Sequence, residues 1–142
     1  MLTQRSRYAI RALLALAKAP PGLPVPLRIV AQEARVPRKF LEIILTEMKR
    51  AGFIETTRGK SGGYRLARAP HLISFGEIIR VIEGPLALVP CVSRTAYRRC
   101  TDCKSESACA IRQAMARVRD ETARILDGTS LADAVAEDLA AA

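Results

Sequence analysis

The stretch Pro37-Arg38-Lys39-Phe40-Leu41-Glu42-Ile43-Ile44-Leu45-Thr46-Glu47-Met48-Lys49-Arg50-Ala51-Gly52-Phe53-Ile54-Glu55-Thr56-Thr57-Arg58-Gly59-Lys60-Ser61-Gly62-Gly63-Tyr64-Arg65-Leu66 changes its period partway along. In its first half Leu41, Ile44, Leu45 and Met48 recur at steps of three and four, the spacing of one helical face. Pro37 suits the first helical position, where its missing N–H would be unpaired anyway. The helix runs to about Ala51, and Gly52 suits its end. From Phe53 the helical period stops. Phe53–Thr57 and Tyr64–Leu66 are rich in β-formers, and the segment 58–63 between them is a glycine-rich basic tip. A helix therefore leads into a hairpin. Just upstream, residues 27–34 suit a short helix and Arg35-Val36 a tight turn. Two short helices, a turn and a basic hairpin make a winged helix-turn-helix, whose second short helix enters the major groove of DNA.

Toward the N-terminus, Ile10, Leu13, Leu14 and Ala17 predict a helix over 5–18 with Ser6 as its cap, and Pro20-Pro21-Gly22-Leu23-Pro24 breaks it. Toward the C-terminus, Ser74 to Glu83 suits a helix with Glu77 completing a capping box. Gly84-Pro85 stops it. A cysteine-bearing segment without periodicity follows. From about Ala110 a long helix carries Ile111, Met115, Val118, Thr122, Ile125 and Leu126 on one face and ends at Gly128. Ser130 and Asp133 begin a terminal helix. The long helix exceeds what so small a domain needs, so a twin from a second subunit is its natural partner. Ile111, Met115, Val118 and Ile125 are the expected dimer interface. The expected fold is mainly α with a small β-hairpin. A winged helix-turn-helix domain occupies 1–70, a linking helix and cysteine sensor loop 71–110, and a dimerisation helix with a C-terminal helix 111–142.

The charge is divided unevenly. Residues 1–70 carry 14 Lys/Arg against 4 Asp/Glu, and residues 71–142 carry 9 against 10, which yields the overall +9. A basic half beside a neutral half points to a polyanion-binding module joined to one with a different task. Double-stranded DNA is the expected partner. Arg38 and Lys39 open the third helix, where base edges or phosphates are met. Glu42 is placed to accept from a cytosine amino group. Lys60 in the wing is placed on phosphates, and Arg58 on a narrow minor groove. Dimer symmetry predicts a pseudo-palindromic operator. No apolar run is long enough to span a membrane. The N-terminal stretch loosely mimics a signal peptide, but Arg11 interrupts it, so a cytoplasmic location and no membrane partner are expected. No Ser/His/Asp set, phosphate-binding loop or paired-carboxylate motif is present, which argues against an enzyme.

All four cysteines fall within nineteen residues, as Cys91, Cys100, Cys103 and Cys109, amid Arg94, Arg98, Arg99 and Lys104. Positive neighbours favour thiolate, the form that ligates metal and attacks disulfides. Structural disulfides are rare in the cytosol, which moves the set toward metal or redox chemistry. An iron–sulfur cluster of two or four irons takes four thiolates. Zinc takes them tetrahedrally, although Cys91 and Cys100 form no knuckle. A Cys-x-x-Cys pair also supports a metal-free thiol switch. Spacing alone leaves the three open. A lone His71 after Pro70 reads as a surface residue.

This order of elements resembles the Rrf-two family of bacterial winged-helix transcription regulators, which includes IscR and NsrR. The resemblance rests on Leu2-Thr3 with Tyr8-Ala9-Ile10-Arg11, on Val25-Pro26-Leu27, and on Phe40-Leu41-Glu42. It rests further on the wing from Arg58 to Leu66, on Ser74-Phe75-Gly76-Glu77-Ile78-Ile79, and on Thr129-Ser130-Leu131-Ala132-Asp133. It implies a homodimer with crossed long helices and a sensing loop whose three cysteines hold an iron–sulfur cluster in many members. The fourth ligand in such members is a histidine, at the position of Arg112 here, or an aspartate, near Arg7 here. Neither arginine is a ligand, and a fourth cysteine stands in their place. With the resemblance, the cluster ranks first, the thiol switch second and zinc third. The expected function is a homodimeric regulator, acting as a repressor, whose operator affinity the cysteine site controls; the alternatives are a metal-free thiol–disulfide redox-sensing regulator and a zinc-stabilised module that turns its basic face to another acidic partner.

Overall fold

The computed structural model describes residues 2–141. Among them the helices are α1 (Gln4–Lys18), α2 (Leu27–Ala34), α3 (Arg38–Arg50), α4 (Phe75–Glu83), α5 (Ala110–Asp127) and α6 (Leu131–Ala141). The strands β1 (Ile54–Thr57) and β2 (Gly63–Leu66) form the antiparallel hairpin, with Ile54 opposite Leu66 and Thr57 opposite Gly63. The mainly α winged-helix architecture read from the sequence is the one observed.

Helix α3 buries Leu41, Ile44, Leu45 and Met48, the stripe predicted from their spacing. Pro37 caps this helix rather than opening it. The α2–α3 turn is held by Arg35, whose backbone is left-handed at φ 54°. The wing gains a third rung because Val25 pairs with Tyr64, through Val25 N to Tyr64 O at 2.7 Å and Tyr64 N to Val25 O at 2.8 Å. Gly63 is required there: a Cβ would lie 2.3 Å from the Val25 carbonyl oxygen.

One apolar cluster runs through the whole arrangement, from Ala9, Leu13 and Leu16 of α1 through Leu41, Leu45 and Phe53 to Ile73, Ile78 and Leu131. Helices α4 and α6 thus share the core of the winged domain. Their entries lie side by side, with Phe75 N donating to Thr129 O and Leu131 N to Ile73 O, each at 2.9 Å. Both predicted N-terminal caps are present, Ser74–Glu77 on α4 and Ser130–Asp133 on α6.

The first helix departs from expectation. Thr3, not Ser6, is its cap, and Ser6 lies buried in the first turn, its N–H donating to Thr3 Oγ1 at 3.2 Å. The reason is tertiary. Glu83, at the end of α4, accepts from Thr3 N at 2.8 Å, from Thr3 Oγ1 at 2.7 Å and from the Ser6 hydroxyl. Those hydrogen bonds, Ser6 first and then Thr3, hold the Glu83 carboxyl down at about 2.

Helix α5 buries no residue within the single chain. It is anchored at its C-terminal end, where Arg80 grips Asp127 through two hydrogen bonds of 2.6 and 2.9 Å. That carboxylate lies so close to α4 that a Cβ on Gly76 would meet Asp127 Oδ1 at 1.9 Å. Leu126 turns inward against the core cluster. Ile111, Val118 and Ile125, each seven residues from the next, remain 67%, 40% and 52% exposed. Met115 is half-buried.

Candidate nucleic-acid interface and cysteine site

With its apolar stripe committed to the core, α3 turns Arg38, Lys39 and Glu42 to solvent. Lys39 is drawn along the surface, its ammonium 4.9 Å above the Phe40 ring. That ring stands 6.4 Å from Tyr8 of α1. Lys49 links the helix to β1 through a 2.9 Å hydrogen bond to Thr56 Oγ1. Arg58 and Lys60 sit exposed at the wing tip. Among the described residues the tip cations form no ion pair, whereas Arg65 on β2 is held by Glu55 at 3.0 Å. The structure brings Arg38, Lys39 and Glu42 onto one exposed surface and leaves Arg58 and Lys60 on the wing. Sequence reasoning passed over Ile43, which is 65% exposed on the same helix. The signal was available: Lys39, Ile43, Thr46 and Arg50 step by four, three and four along the side opposite the buried stripe.

The cysteines are assembled by turns rather than by regular structure. A single 3-10 turn at Pro90–Val92 buries Cys91 and Val92. Cys103 N donates to Cys100 O at 3.2 Å. Cys109 caps α5, its sulfur accepting from Arg112 N at 3.4 Å. All four thiols are free, and all four line one cavity of about 350 Å³ together with Ile111 and Arg112. Among the described residues, no three His, Cys, Asp or Glu side chains converge on a single-ion site.

The basic environment expected of the sulfurs is only partly realised. Arg94 is turned away to Asp120 at 3.0 Å, and Arg99 donates to the Cys103 carbonyl at 3.3 Å. Lys104 and Arg112 are the cations that line the cavity. The Cys100 thiol is pushed up from its ordinary value, first by desolvation, then by its hydrogen bond with Cys91 and the negative charge of Cys91, Asp102 and Cys103. The Cys100 thiol therefore resists ionising unless a cation joins it. Arg112 contributes a further signal. Its Nε is buried without a hydrogen-bond partner, and the Glu106 carboxylate stands 3.7 Å away, beyond hydrogen-bond reach. Glu106 itself accepts from the Tyr97 hydroxyl. His71 lies exposed in the turn after the wing, outside the group lining the cavity.

The cysteine loop is bound to the rest of the molecule through α5. Arg119 donates to the Val92 carbonyl at 2.7 Å. From there the chain of contacts runs through Arg80–Asp127 to α4 and through Glu83 to α1. No helix of the described residues is long and apolar enough to cross a membrane.

A sequence model of the Rrf2 family, described as iron-dependent transcriptional regulator, matches residues 2–137. An rrf2-like HTH-type transcriptional regulator of Rhodobacter capsulatus is 42% identical over 139 residues, covering 96% of this chain and 93% of its own length. Among solved structures, CymR, the global cysteine regulator of B. subtilis, superposes with a TM-score of 0.79 at 29% identity, covering 96% of this chain and 97% of CymR. IscR of T. potens superposes with a TM-score of 0.76 at 25% identity, covering 97% of this chain and 88% of IscR. The winged helix, its exposed cationic face and the extent of these matches agree: the chain belongs to the Rrf2 family of DNA-binding transcription regulators.

Proposed function

We propose that this protein is a homodimeric repressor whose operator affinity is set by an iron–sulfur cluster held by Cys91, Cys100, Cys103 and Cys109. The observation that carries this reading is the gathering of all four free thiols around one cavity at the N-terminus of α5. The donor set fits the group. A lone zinc needs its sulfurs about 2.3 Å from one centre, and the side chains do not converge in that way. A cluster distributes its thiolates over several irons. Arg112 lines the same cavity, and its buried Nε, ion-paired with Glu106 but without a hydrogen-bond partner, is a donor suited to an anionic group. When bound, the cluster supplies redox-responsive iron.

The chain's own residues do the rest. Arg38, Lys39 and Glu42 of α3 meet the major groove, and Arg58 and Lys60 of the wing meet the backbone or minor groove. The exposed stripe of Ile111, Met115, Val118 and Ile125 is covered by the same stripe of a second copy. The two wings are then related by a two-fold axis, and the operator is pseudo-palindromic. Cys91 and Cys109 lie at the two ends of a loop tied to α5, so a ligand that joins them favours one placement of α5 against α4. Operator affinity shifts by the difference in ligand binding between placements, and by no more.

The test is anaerobic purification followed by visible spectroscopy, iron, sulfide and zinc analysis, and operator titration. A brown protein with matched iron and sulfide is expected. Cys103→Ala and Cys109→Ala should lose the colour and change operator affinity while retaining the helical circular dichroism of the wild type. Colourless protein with one bound zinc would overturn the cluster. Colourless metal-free protein whose DNA binding follows dithiothreitol would replace it with a thiol switch. A rise in transcription from operator-bearing templates on adding the protein would refute repression.

A further inference from the structure

Charge alone does not account for the crest of the recognition helix. Leu41, Ile44, Leu45 and Met48 define the inward side of α3. At 3.6 residues per turn the outermost line on the other side passes through Lys39, Ile43, Thr46 and Arg50, all of them exposed. The cations stand at the two ends. Between them lie Ile43, 65% exposed, and Thr46. The Thr46 hydroxyl donates to the Glu42 carbonyl at 2.8 Å, so its proton is taken by the helix backbone. The middle of the crest thus offers neither a cation nor a free donor, although the half of the chain that carries it has the whole net positive charge.

A single exposed isoleucine is ordinary on a protein surface. This one is centred between two cations on the helix that DNA covers, where it must face a base edge. In the major groove the base edges present mostly hydrogen-bond donors and acceptors, and the one apolar group that projects as far as a methyl is the C5-methyl of thymine. An isoleucine pressed on a donor or acceptor would strip its water without replacing the hydrogen bond, whereas against a methyl it loses nothing. We propose that Ile43, flanked by Thr46, is a specificity-determining residue that seats the C5-methyl of one thymine in each half-site, with Lys39 and Arg50 on the neighbouring phosphates. This rests on the placement of α3 in the major groove given above and is independent of the cysteine site.

The test removes the methyl from the DNA. Duplexes are first selected from a random pool with the wild-type protein. Each thymine of the selected operator is then replaced singly by uracil, which lacks only the C5-methyl, and affinities are measured by fluorescence anisotropy for wild type, Ile43→Ala and Ile43→Val. At one thymine per half-site the wild type should lose about fourfold, the worth of one buried methyl group. Ile43→Ala should bind the thymine operator more weakly and be indifferent to that uracil, and Ile43→Val should fall between. Wild-type binding insensitive to every uracil would overturn the role of Ile43, as would an Ile43→Ala protein that keeps the full uracil penalty. Failure of the wild type to select any duplex would bring down the docking of α3 itself, a result distinct from uracil-insensitive binding to a selected operator.

Discussion

Replacing Val118 by aspartate tests the dimer on which the regulatory reading depends. Val118 lies midway between Ile111 and Ile125 on the open stripe of α5 and is 40% exposed in the protomer. Covering that share of a valine is worth about 1 kcal/mol, and a two-fold axis places the substitution twice in one interface. The larger effect is the carboxylate. Burying an unpaired charge costs several kcal/mol after relaxation, and the cationic residues of α5 lie off the stripe, with Arg119 and Arg124 already engaged by Asp120 and Glu121. Two lost contacts and two unpaired charges amount to roughly 5 kcal/mol or more, so the dimer dissociation constant should rise by at least about a thousandfold. The fold should survive, because no α5 residue is buried within the protomer. Sedimentation velocity at micromolar concentration should show a wild-type dimer and a Val118→Asp monomer with identical far-UV circular dichroism, and operator binding should be lost with the dimer. A variant that sediments as a dimer, or a wild type that is monomeric while binding its operator tightly, would refute the assignment of this stripe.

Other consequences are open to measurement. Replacing Arg58 and Lys60 together by alanine should weaken binding to all sequences and make the log–log salt dependence shallower by at least about 0.9, the share of the one Lys60 phosphate contact; an unchanged slope would remove the wing from the backbone. Leu131→Ala should cost about 2.7–5 kcal/mol, because Leu131 is fully buried in the shared core. Leu139→Ala, in the same helix but 70% exposed, should stay within about 0.5 kcal/mol; equal thermal shifts would mean that α6 does not belong to the core. Glu83 has a folded-state pKa depressed to about 2 by Ser6 and Thr3. Its contribution is therefore present above the ordinary value of about 4.3 and is lost as the pH falls toward about 2. Glu83→Gln should unfold more readily at neutral pH and flatten the acid limb of the stability profile, and superimposable acid unfolding curves would contradict this.

Much of the fold was legible because its signals are local. The buried stripe of α3, the capping boxes at Ser74 and Ser130, the glycine at the end of α3 and the change to β-forming residues after Phe53 each depend on residues within a turn or two of one another. The exposed side of α3 was legible for a related reason: once the inward stripe is known, helical geometry assigns the outward side. Ile43 was passed over because attention to charge hides an apolar residue whose significance lies in what it will touch.

The start of α1 was misread because its cap depends on Glu83, eighty residues away. A hydrogen bond donated by Ser6 to a distant carboxylate leaves no trace in local spacing. The basic setting of the cysteines was overread for a similar reason. Nearness in sequence placed Arg94 beside Cys91, but its guanidinium pairs with Asp120 instead, and Arg112 reaches the cavity from the next helix. Composition and periodicity by themselves determined that this chain is a basic winged helix followed by a cysteine loop and a long amphipathic helix. Only the tertiary structure decided that α6 returns to the first core, that four sulfurs on a loop without regular structure line one cavity with Arg112, and how far each residue of the α5 stripe stays open. Helices and hairpins arise from short-range backbone hydrogen bonds and side-chain periodicity. The meeting of distant segments is selected by how their surfaces fit once they are formed.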